Sequence, residues 1–131
     1  MAELTGKSII GSQPGDGGHP TLFGINPATG ESLQPGYAVV SEVELNRAAM
    51  LAARAFETLG KTSGAARAVF LRKIADNIEA IGDDLAKCTP QETGLPEGRI
   101  RMETGRTCGQ LRLFASVVEE GSWVDARIDH A

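Results

Sequence analysis

Cys88 and Cys108 are the two cysteines of this sequence and its candidates for a thiolate nucleophile. A cysteine attacks carbon as the thiolate, which requires a neighbouring base or cation that lowers the pKa of its thiol. Cys108 falls inside an apolar helical pattern, where a free cysteine packs as a small hydrophobic residue. Cys88 precedes Thr89 and Pro90 at a predicted helix end, which favours partial exposure and adventitious oxidation. We therefore assign neither cysteine to catalysis.

Histidines and cysteines do not have the spacing of a metal centre here. The two histidines are His19, in a predicted turn, and His130, next to the last residue, and we expect both to be exposed. A structural zinc site needs four ligands at short spacings, and no CxxC pair is present. Two cysteines without a secretion signal do not indicate a disulfide framework. The sequence thus assigns no catalytic, cofactor-binding or metal-binding residue to this chain.

Charged residues cluster where they could act on a proton or an anion. The carboxylate pairs Asp83–Asp84 and Glu119–Glu120 are neighbours in predicted helices, so their side chains point in different directions. Helix capping and solvation explain both pairs better than catalysis. Four arginines on the last predicted helix could bind an anion, although a solvated face or interdomain ion pairs explain them better: Arg99, Arg101, Arg106 and Arg112.

The glycine-rich segment Gly15–Gly18 could be proposed as a phosphate cradle. A dinucleotide-binding loop follows a buried strand and opens directly into a helix. Here the glycines lead to Pro20 and another strand candidate, which favours a hairpin. Trp123 is the one tryptophan, and we expect it to anchor packing against a neighbouring layer rather than to bind a ligand.

Length and composition describe one ordinary globular domain. The chain has 131 residues, of which 41% are hydrophobic, 23% charged and 5% aromatic. A core must therefore rest on aliphatic side chains. The net charge of −4 gives no basic patch, which argues against nucleic-acid binding. No apolar run approaches the roughly 20 residues that span a membrane, and the N-terminus lacks the pattern of a signal peptide, so we predict a cytoplasmic protein.

Residues 1–40 have the pattern of strands and turns. Lys7–Ile10 and Thr21–Ile25 are strand candidates, and the turn-rich segment between them predicts an antiparallel hairpin. Asn26–Gly30 predicts a further turn, with Asn and Pro at its start and Gly at its end. Glu31–Val40 continues as an edge strand interrupted by Pro35.

Residues 41–131 predict amphipathic helices. The first begins at Ser41, which forms a capping box with Glu44, and ends at Gly60. Its apolar face is Leu45, Ala48, Ala49, Ala52, Ala55, Phe56 and Leu59. The second begins near Thr62 or Ser63. Its stripe is Ala66, Val69, Phe70, Ile74, Ile78 and Ile81.

A short third helix is capped by Asp83 or Asp84, and Pro90 should end or kink it. The last helix begins near Pro96 and ends at Gly121, after which the chain looks extended. Its stripe is Ile100, Thr104, Cys108, Leu111, Phe114, Ala115 and Val118. The helices bury these faces against each other or form the outer layer of a domain whose sheet lies elsewhere, and the pattern leaves both alternatives open.

Four segments, in their order and spacing, resemble the start of aldehyde dehydrogenases. Phe23–Glu31 contains an Asn-Pro-x-Thr-Gly-Glu turn, and Ser41–Phe56 resembles the first helix of that family. Arg67–Glu79 resembles its second helix, and Glu92–Pro96 fits its Glu-Thr-Gly-x-Pro turn. Two further segments, Gly105–Phe114 and Gly121–Asp125, resemble the bacterial α-ketoglutaric semialdehyde (2,5-dioxovalerate) dehydrogenases.

The resemblance implies an α/β parent fold with a Rossmann-like sheet, of which this chain is a mostly α-helical part with an N-terminal β-hairpin. It implies oxidation of an aldehyde to an acid with NAD or NADP, here α-ketoglutaric semialdehyde to 2-oxoglutarate. In that family a cysteine attacks, a glutamate activates water and an asparagine holds the oxyanion. We expect those residues, and the oligomerisation region, to lie beyond Ala131, so no cofactor site is expected in this chain.

Three functional hypotheses follow. The first is the N-terminal part of an aldehyde dehydrogenase, inactive by itself, whose partner is the remainder of the enzyme. The second is a non-catalytic helical interaction or oligomerisation module that self-associates through its apolar helix faces. The third is a small-molecule binding module that uses the arginine face. The sequence does not distinguish NAD from NADP.

Overall fold

The computed structural model describes residues 4–16 and 21–127, and their fold is mostly helical with short strands at the front. The strands are β1 (Ile9–Ile10), β2 (Gln13–Pro14), β3 (Thr21–Leu22) and β4 (Tyr37–Ala38). The helices are α1 (Glu42–Leu59), α2 (Gly64–Ala80), α3 (Gly82–Thr93) and α4 (Glu97–Glu120), followed by a 3₁₀ turn at Ser122–Val124. The predicted combination of N-terminal strands and helices is confirmed.

These elements form two compact units. The first unit combines the described residues up to Lys61 with Cys88–Leu95, and the second combines Thr62–Lys87 with the described residues from Pro96 onward. Helix α3 contributes residues to both. Among the described residues, no helix is long and apolar enough to cross a membrane.

The strand pairing differs from the predicted hairpin. β1 pairs with β2, and β3 pairs with β4, both antiparallel, so Lys7–Ile10 does not pair with Thr21–Ile25. The physical reason lies at Gly11 and Ser12, whose φ angles are 59° and 65°. Positive φ at both central residues produces a tight two-residue hairpin turn, which reverses the chain directly after Ile10.

The predicted turn at Asn26–Gly30 is confirmed. The Gly30 N–H donates to the Asn26 carbonyl at 2.8 Å, and Asn26 Oδ1 accepts the Ala28 N–H at 2.9 Å. Beyond the turn, Ser32 bridges back to Ile25. The segment predicted as one interrupted edge strand therefore pairs at two separate places, at Ser32 and in β4.

Helix α1 begins as predicted and buries a different face from the predicted one. The Ser41 hydroxyl accepts the Glu44 N–H, and the Glu44 carboxylate accepts the Ser41 N–H, which completes the capping box. The predicted apolar face is exposed except at Ala48, with Leu45 at 58% and Phe56 at 73%. Glu44 is buried instead, with Ala48 and Leu51 half-buried beside it, because the first unit packs β1 against this side of the helix.

Helix α2 is also rotated relative to its predicted stripe. Its N-cap is Ser63, as predicted, with the hydroxyl accepting the Ala66 N–H at 3.1 Å. The buried residues are Ala68 and Ala75, whereas Val69 and Phe70 of the predicted stripe are exposed. Ile74 and Ile78 of that stripe are half-buried. The fully buried positions of the helix are therefore small residues, and its large apolar ones are half-buried or exposed.

Helix α4 matches its predicted stripe except at one position. Ile100, Cys108 and Ala115 are buried, and Gly121 ends the helix with a φ of 85°. Phe114 is the exception, because 55% of it is exposed. After Gly121 the chain forms the 3₁₀ turn instead of the predicted extended segment, and the last four residues lie outside the described ranges.

Pro90 was predicted to end or kink α3, and it does not end the helix. The helix continues to Thr93 and stops at Gly94, whose φ is 72° and whose N–H donates to the Pro90 carbonyl at 2.9 Å. A proline removes only its own N–H from the helical ladder, so a helix that ends one turn later loses a single bond. Glycine then supplies the left-handed conformation that closes the helix.

Candidate functional site

Helices α2 and α4 pack antiparallel along a line of small residues, which is the best-buried region of the second unit. Ala68, Ala75 and Ala115 have no exposed surface, and Cys108 is 1% exposed. At one end of the line, a Cβ on Gly64 would lie 2.1 Å from the Val118 carbonyl oxygen. Small side chains allow two helix backbones to approach closely, and a side chain larger than hydrogen at Gly64 does not fit.

One flank of this contact is a row of ion pairs, which we call the charged flank. Arg72 pairs with Glu119 at 2.5 Å, and Arg112 pairs with both Asp76 at 2.8 Å and Glu79 at 2.5 Å. The row continues to α3, where Asp83 pairs with Arg101 at 2.8 Å. These side chains are between 38% and 78% exposed, so they face water.

The arginines of the charged flank lower the pKa values of three of its carboxyl groups. The hydrogen bond from Arg112 lowers the pKa of Glu79, and that from Arg72 lowers the pKa of Glu119. Asp83 is affected in the same way by Arg101. Exposed ion pairs contribute little individually, so the row acts mainly by aligning the helices.

The four arginines singled out in the sequence all hold carboxylates of this chain. Arg101 and Arg112 belong to the charged flank, and Arg101 also pairs with Glu97 at 2.7 Å. Arg99 and Arg106 both pair with Glu103, at 2.6 and 2.8 Å. This arrangement favours the ion-pair interpretation over the anion site.

The paired carboxylates do not converge either. Asp83 points to Arg101 and Glu119 to Arg72, while Glu120 accepts the Ser122 N–H at 3.0 Å beyond the helix end. These three carboxylates therefore accept hydrogen bonds from three different residues. The surface role predicted for these residues agrees with this geometry. The predicted capping of α3 is wrong, because the helix begins at Gly82, and Asp83 and Asp84 lie within its first turn.

The opposite flank of the α2–α4 contact carries an open groove of about 430 Å³, which we call the apolar groove. Its lining is Leu71, Leu111 and Phe114, with Thr107, Gln110 and Arg106 at the rim. Consecutive residues of a helix are rotated by about 100°, so Leu71 and Arg72 lie on opposite sides of the contact, as do Leu111 and Arg112. The helix pair therefore has one charged and one apolar flank.

Neither cysteine is placed as a nucleophile. Cys108 is buried in the α2–α4 contact, where its thiol donates to the Ala75 carbonyl at 3.5 Å. This confirms its interpretation as a small packing residue. Both cysteines are free, as expected without a disulfide framework.

Cys88 is half-buried in α3, close to Tyr37. The Tyr37 hydroxyl donates to Glu92 at 3.4 Å, and its pKa is raised by desolvation and by the nearby Glu92 and Cys88. The described surroundings of Cys88 thus include an acid and a phenol. Activated thiolates are instead found beside bases and cations.

The glycine-rich segment lies only partly within the described ranges, since Gly17, Gly18 and His19 fall outside them, as does His130. The Gly15 N–H donates to the Ser8 carbonyl at 2.7 Å, and the Asp16 N–H donates to Glu44 Oε1 at 2.9 Å. Both amides are therefore used within the chain, which supports the hairpin interpretation. Within residues 4–16 and 21–127, no three His, Cys, Asp or Glu side chains are grouped as a metal site would require.

Glu44 is a structural residue that the sequence identified only in part. Its role in the capping box was predicted, but its link to Asp16, 28 residues earlier, was not. Gly15 makes this approach possible, because a Cβ there would lie 2.7 Å from Glu44 Oε1. Trp123, the predicted packing anchor, is 60% exposed, and its contact with a neighbouring layer stays a prediction.

Comparison with known proteins decides the family. The pattern of the aldehyde dehydrogenase family matches residues 16–127, which is most of the chain. This chain belongs to the aldehyde dehydrogenase family. The resemblance seen in the sequence motifs is thereby confirmed.

Curated members of the aldehyde dehydrogenase family align with nearly the whole chain. Alpha-ketoglutaric semialdehyde dehydrogenase 2 of Azospirillum brasilense is 44% identical over 98% of this chain, and alpha-ketoglutaric semialdehyde dehydrogenase of Acinetobacter baylyi is 39% identical over 100%. The 3,6-anhydro-alpha-L-galactose dehydrogenase of Streptomyces coelicolor is 33% identical over 78%. The chain spans about a quarter of the length of these relatives, 25%, 25% and 22% respectively.

Proposed function

We propose that this chain is the N-terminal segment of an NAD(P)-dependent aldehyde dehydrogenase that oxidises α-ketoglutaric semialdehyde to 2-oxoglutarate. The observation that carries this proposal is the match of two α-ketoglutaric semialdehyde dehydrogenases across essentially the whole chain, at 44% and 39% identity. Identity at this level over every element supports a shared substrate more strongly than a family motif does.

The role of the segment is architectural in this proposal. Its helices would flank the cofactor-binding domain, and the reacting groups would come from the three-quarters of the relatives' length that this chain does not match. The burial of Cys108 in the α2–α4 contact supports this division, because a nucleophile must reach its substrate. The isolated chain would therefore be inactive.

The described part of the glycine-rich segment does not supply the free amides of a dinucleotide site. A pyrophosphate is held by free backbone amides at a glycine-rich turn and a helix N-terminus. Here the amides of Gly15 and Asp16 are bonded within the chain. NAD or NADP would be bound by the rest of the enzyme, and the residues that select one of them would lie there too. The cytoplasmic location stays a prediction from the sequence.

The test is an activity assay of two preparations. The purified 131-residue chain should give no reduced cofactor from α-ketoglutaric semialdehyde with NAD or NADP. The same chain co-expressed with the complementary part of the Azospirillum brasilense relative should give activity. Turnover by the chain alone, lost on Cys88→Ser or Cys108→Ala, would refute the architectural role.

A second candidate is a helical interaction or oligomerisation module. Large apolar side chains at high exposure favour it, including Phe56 at 73%, Val69 at 65% and Phe70 at 58%. Exposed apolar surface of this kind commonly marks an interface. Light scattering distinguishes the two candidates, since a module of this second kind forms a defined oligomer by itself, without a complementary polypeptide.

A further inference from the structure

We propose that the apolar groove between α2 and α4 is the docking site for the C-terminal part of an aldehyde dehydrogenase polypeptide, and that the charged flank stays in water. This inference rests on the proposed function and identifies the surface by which the segment joins the enzyme. Its anchor is Phe114, which lines the groove and is 55% exposed.

The segregation of charge across the helix pair selects the side that docks. Burying the ion pairs of Arg72 and Arg112 would require the loss of their hydration, which the attraction between the charges does not fully offset. The apolar groove has no such cost, because Leu71, Leu111 and Phe114 gain by leaving water. A polypeptide that covers the pair would therefore approach from the groove side.

The shape and rim of the groove define the chemistry of its occupant. An open volume of about 430 Å³ accommodates several aliphatic or aromatic side chains from a helix or strand. Arg106 is 72% exposed at its side chain and lies at the rim with Gln110. Gln110 and the terminal guanidinium N–H groups of Arg106, whose Nε donates to Glu103, can donate to carbonyl groups at the edge of the incoming surface.

The length of the relatives favours the rest of the enzyme over a second copy as that occupant. The two relatives that align with 98% and 100% of this chain match it over only 25% of their own length. The remaining part of each relative is three times as long as the matched part and could cover these helices. A second copy of the chain is the alternative occupant, and the experiment below distinguishes it.

Leu113 provides a matched control for Phe114. Both residues lie on α4, adjacent in sequence, and both are 55% exposed. They are rotated from each other by about 100° around the helix, and only Phe114 lines the groove. A charge at either position should leave the isolated helix pair folded, so a difference between the two variants reports on docking.

The experiment co-expresses the full chain with the complementary part of the Azospirillum brasilense enzyme and measures the binding affinity and the dehydrogenase activity. We expect Phe114→Asp to weaken assembly at least about tenfold and Leu113→Asp to change it less than about threefold, because energy at interfaces concentrates in buried aromatic anchors. Circular dichroism of each variant checks folding, and Phe114→Ala should show the same direction as Phe114→Asp. Hydrogen exchange should show protection of residues 107–114 on assembly.

Two results would overturn the groove assignment while leaving the proposed function in place. In the first, the wild-type chain assembles, and Phe114→Asp and Leu113→Asp weaken the assembly equally or not at all. The other is a homodimer of the chain alone that Phe114→Asp disrupts and Leu113→Asp does not, which assigns the groove to a second copy. Failure of the wild-type chain to assemble or to restore activity would instead overturn both proposals.

Discussion

The Glu44 carboxylate accepts the Asp16 backbone N–H at 2.9 Å and so connects the start of α1 to a residue 28 positions earlier in the chain. The same side chain accepts two hydrogen bonds from Ser41, one from its backbone N–H at 2.9 Å and one from its hydroxyl at 3.1 Å. Glu44 is 6% exposed, so these donors replace the water that a carboxylate needs. One side chain thus caps a helix and holds the β1–β2 hairpin to it.

Glu44→Ala should therefore destabilise the first unit. The variant leaves the Ser41 and Asp16 amides without their acceptor and removes the capping box that begins α1, so the helix start and its link to the hairpin are both weakened. Chemical denaturation should show a lower midpoint, and hydrogen exchange should be faster in residues 8–16 than in α4. Glu42→Ala is the control, since Glu42 is exposed in the same first turn. Equal effects of the two substitutions would contradict the linking role.

Acidification should destabilise the fold through the same group. Hydrogen bonds from the backbone of Ser41 and then of Asp16 lower the pKa of Glu44 in the folded state. A lowered folded pKa gives stability that is fully present above the unfolded value of about 4.3 and is lost as the pH falls through the folded value. The arginine partners of Glu79, Asp83 and Glu119 in the charged flank lower the pKa values of those three carboxyl groups as well.

Thermal denaturation between neutral pH and about pH 3 measures this dependence. The wild-type midpoint should be flat near neutrality and fall below about pH 4.3. Glu44→Gln should show a shallower fall, since one of the titrating groups is gone. A wild-type protein that is more stable at pH 3 than at pH 7 would contradict the predicted sign.

Gly64→Ala should separate the two helices of the second unit. The added Cβ would meet the Val118 carbonyl oxygen at 2.1 Å, and overpacking of this kind costs about 1–3 kcal/mol. Gly105→Ala is the matched control, because nothing lies within 4 Å of a Cβ there and α4 gains about 0.5–1 kcal/mol from the better helix former. Urea denaturation should therefore give changes of opposite sign, and two changes of the same sign would refute the close contact.

Thiol labelling should distinguish the two cysteines by rate. Cys88 is half-buried, whereas Cys108 is 1% exposed between α2 and α4. A maleimide or disulfide reagent should modify Cys88 in the folded chain and reach Cys108 only as the helix pair opens. Mass spectrometry of Cys88→Ser and Cys108→Ala identifies the site. Rapid labelling of Cys108 in folded protein would contradict its packing role.

Local signals predicted the starts of α1, α2 and α4, because caps act within a few residues. They did not predict that of α3, which begins at Gly82 with Asp83 and Asp84 already in its first turn. Ser41 with Glu44 and Ser63 were identified from sequence and hold the predicted amides. The strand pairing was mispredicted, because the turn at Gly11–Ser12 carries a weaker signal than the Pro- and Gly-rich segment after it. Hairpin partners depend on such turns more than on the strands themselves.

The buried faces of α1 and α2 could not be predicted from periodicity alone. Periodicity follows the large apolar residues, such as Phe56 and Phe70, and these are exposed in the described structure. The most buried positions of α2 are the small residues Ala68 and Ala75, which contribute little to an apolar pattern but permit close backbone approach. A helix that packs against two layers has apolar residues on two faces, so periodicity does not show which face makes a given contact.

The order of charges along the α2–α4 pair has a consequence for alignment. Arg72 faces Glu119, whereas Asp76 and Glu79 face Arg112, so the sense of the ion pairs reverses along the contact. Sliding α4 by seven residues would place Arg112 beside Arg72, and like charges in contact are destabilising. If α2 carried only the arginines and α4 only the carboxylates, the same slip would still place opposite charges together. The reversal therefore disfavours out-of-register packing of the two helices. Similar small residues along the contact would not fix the register by themselves.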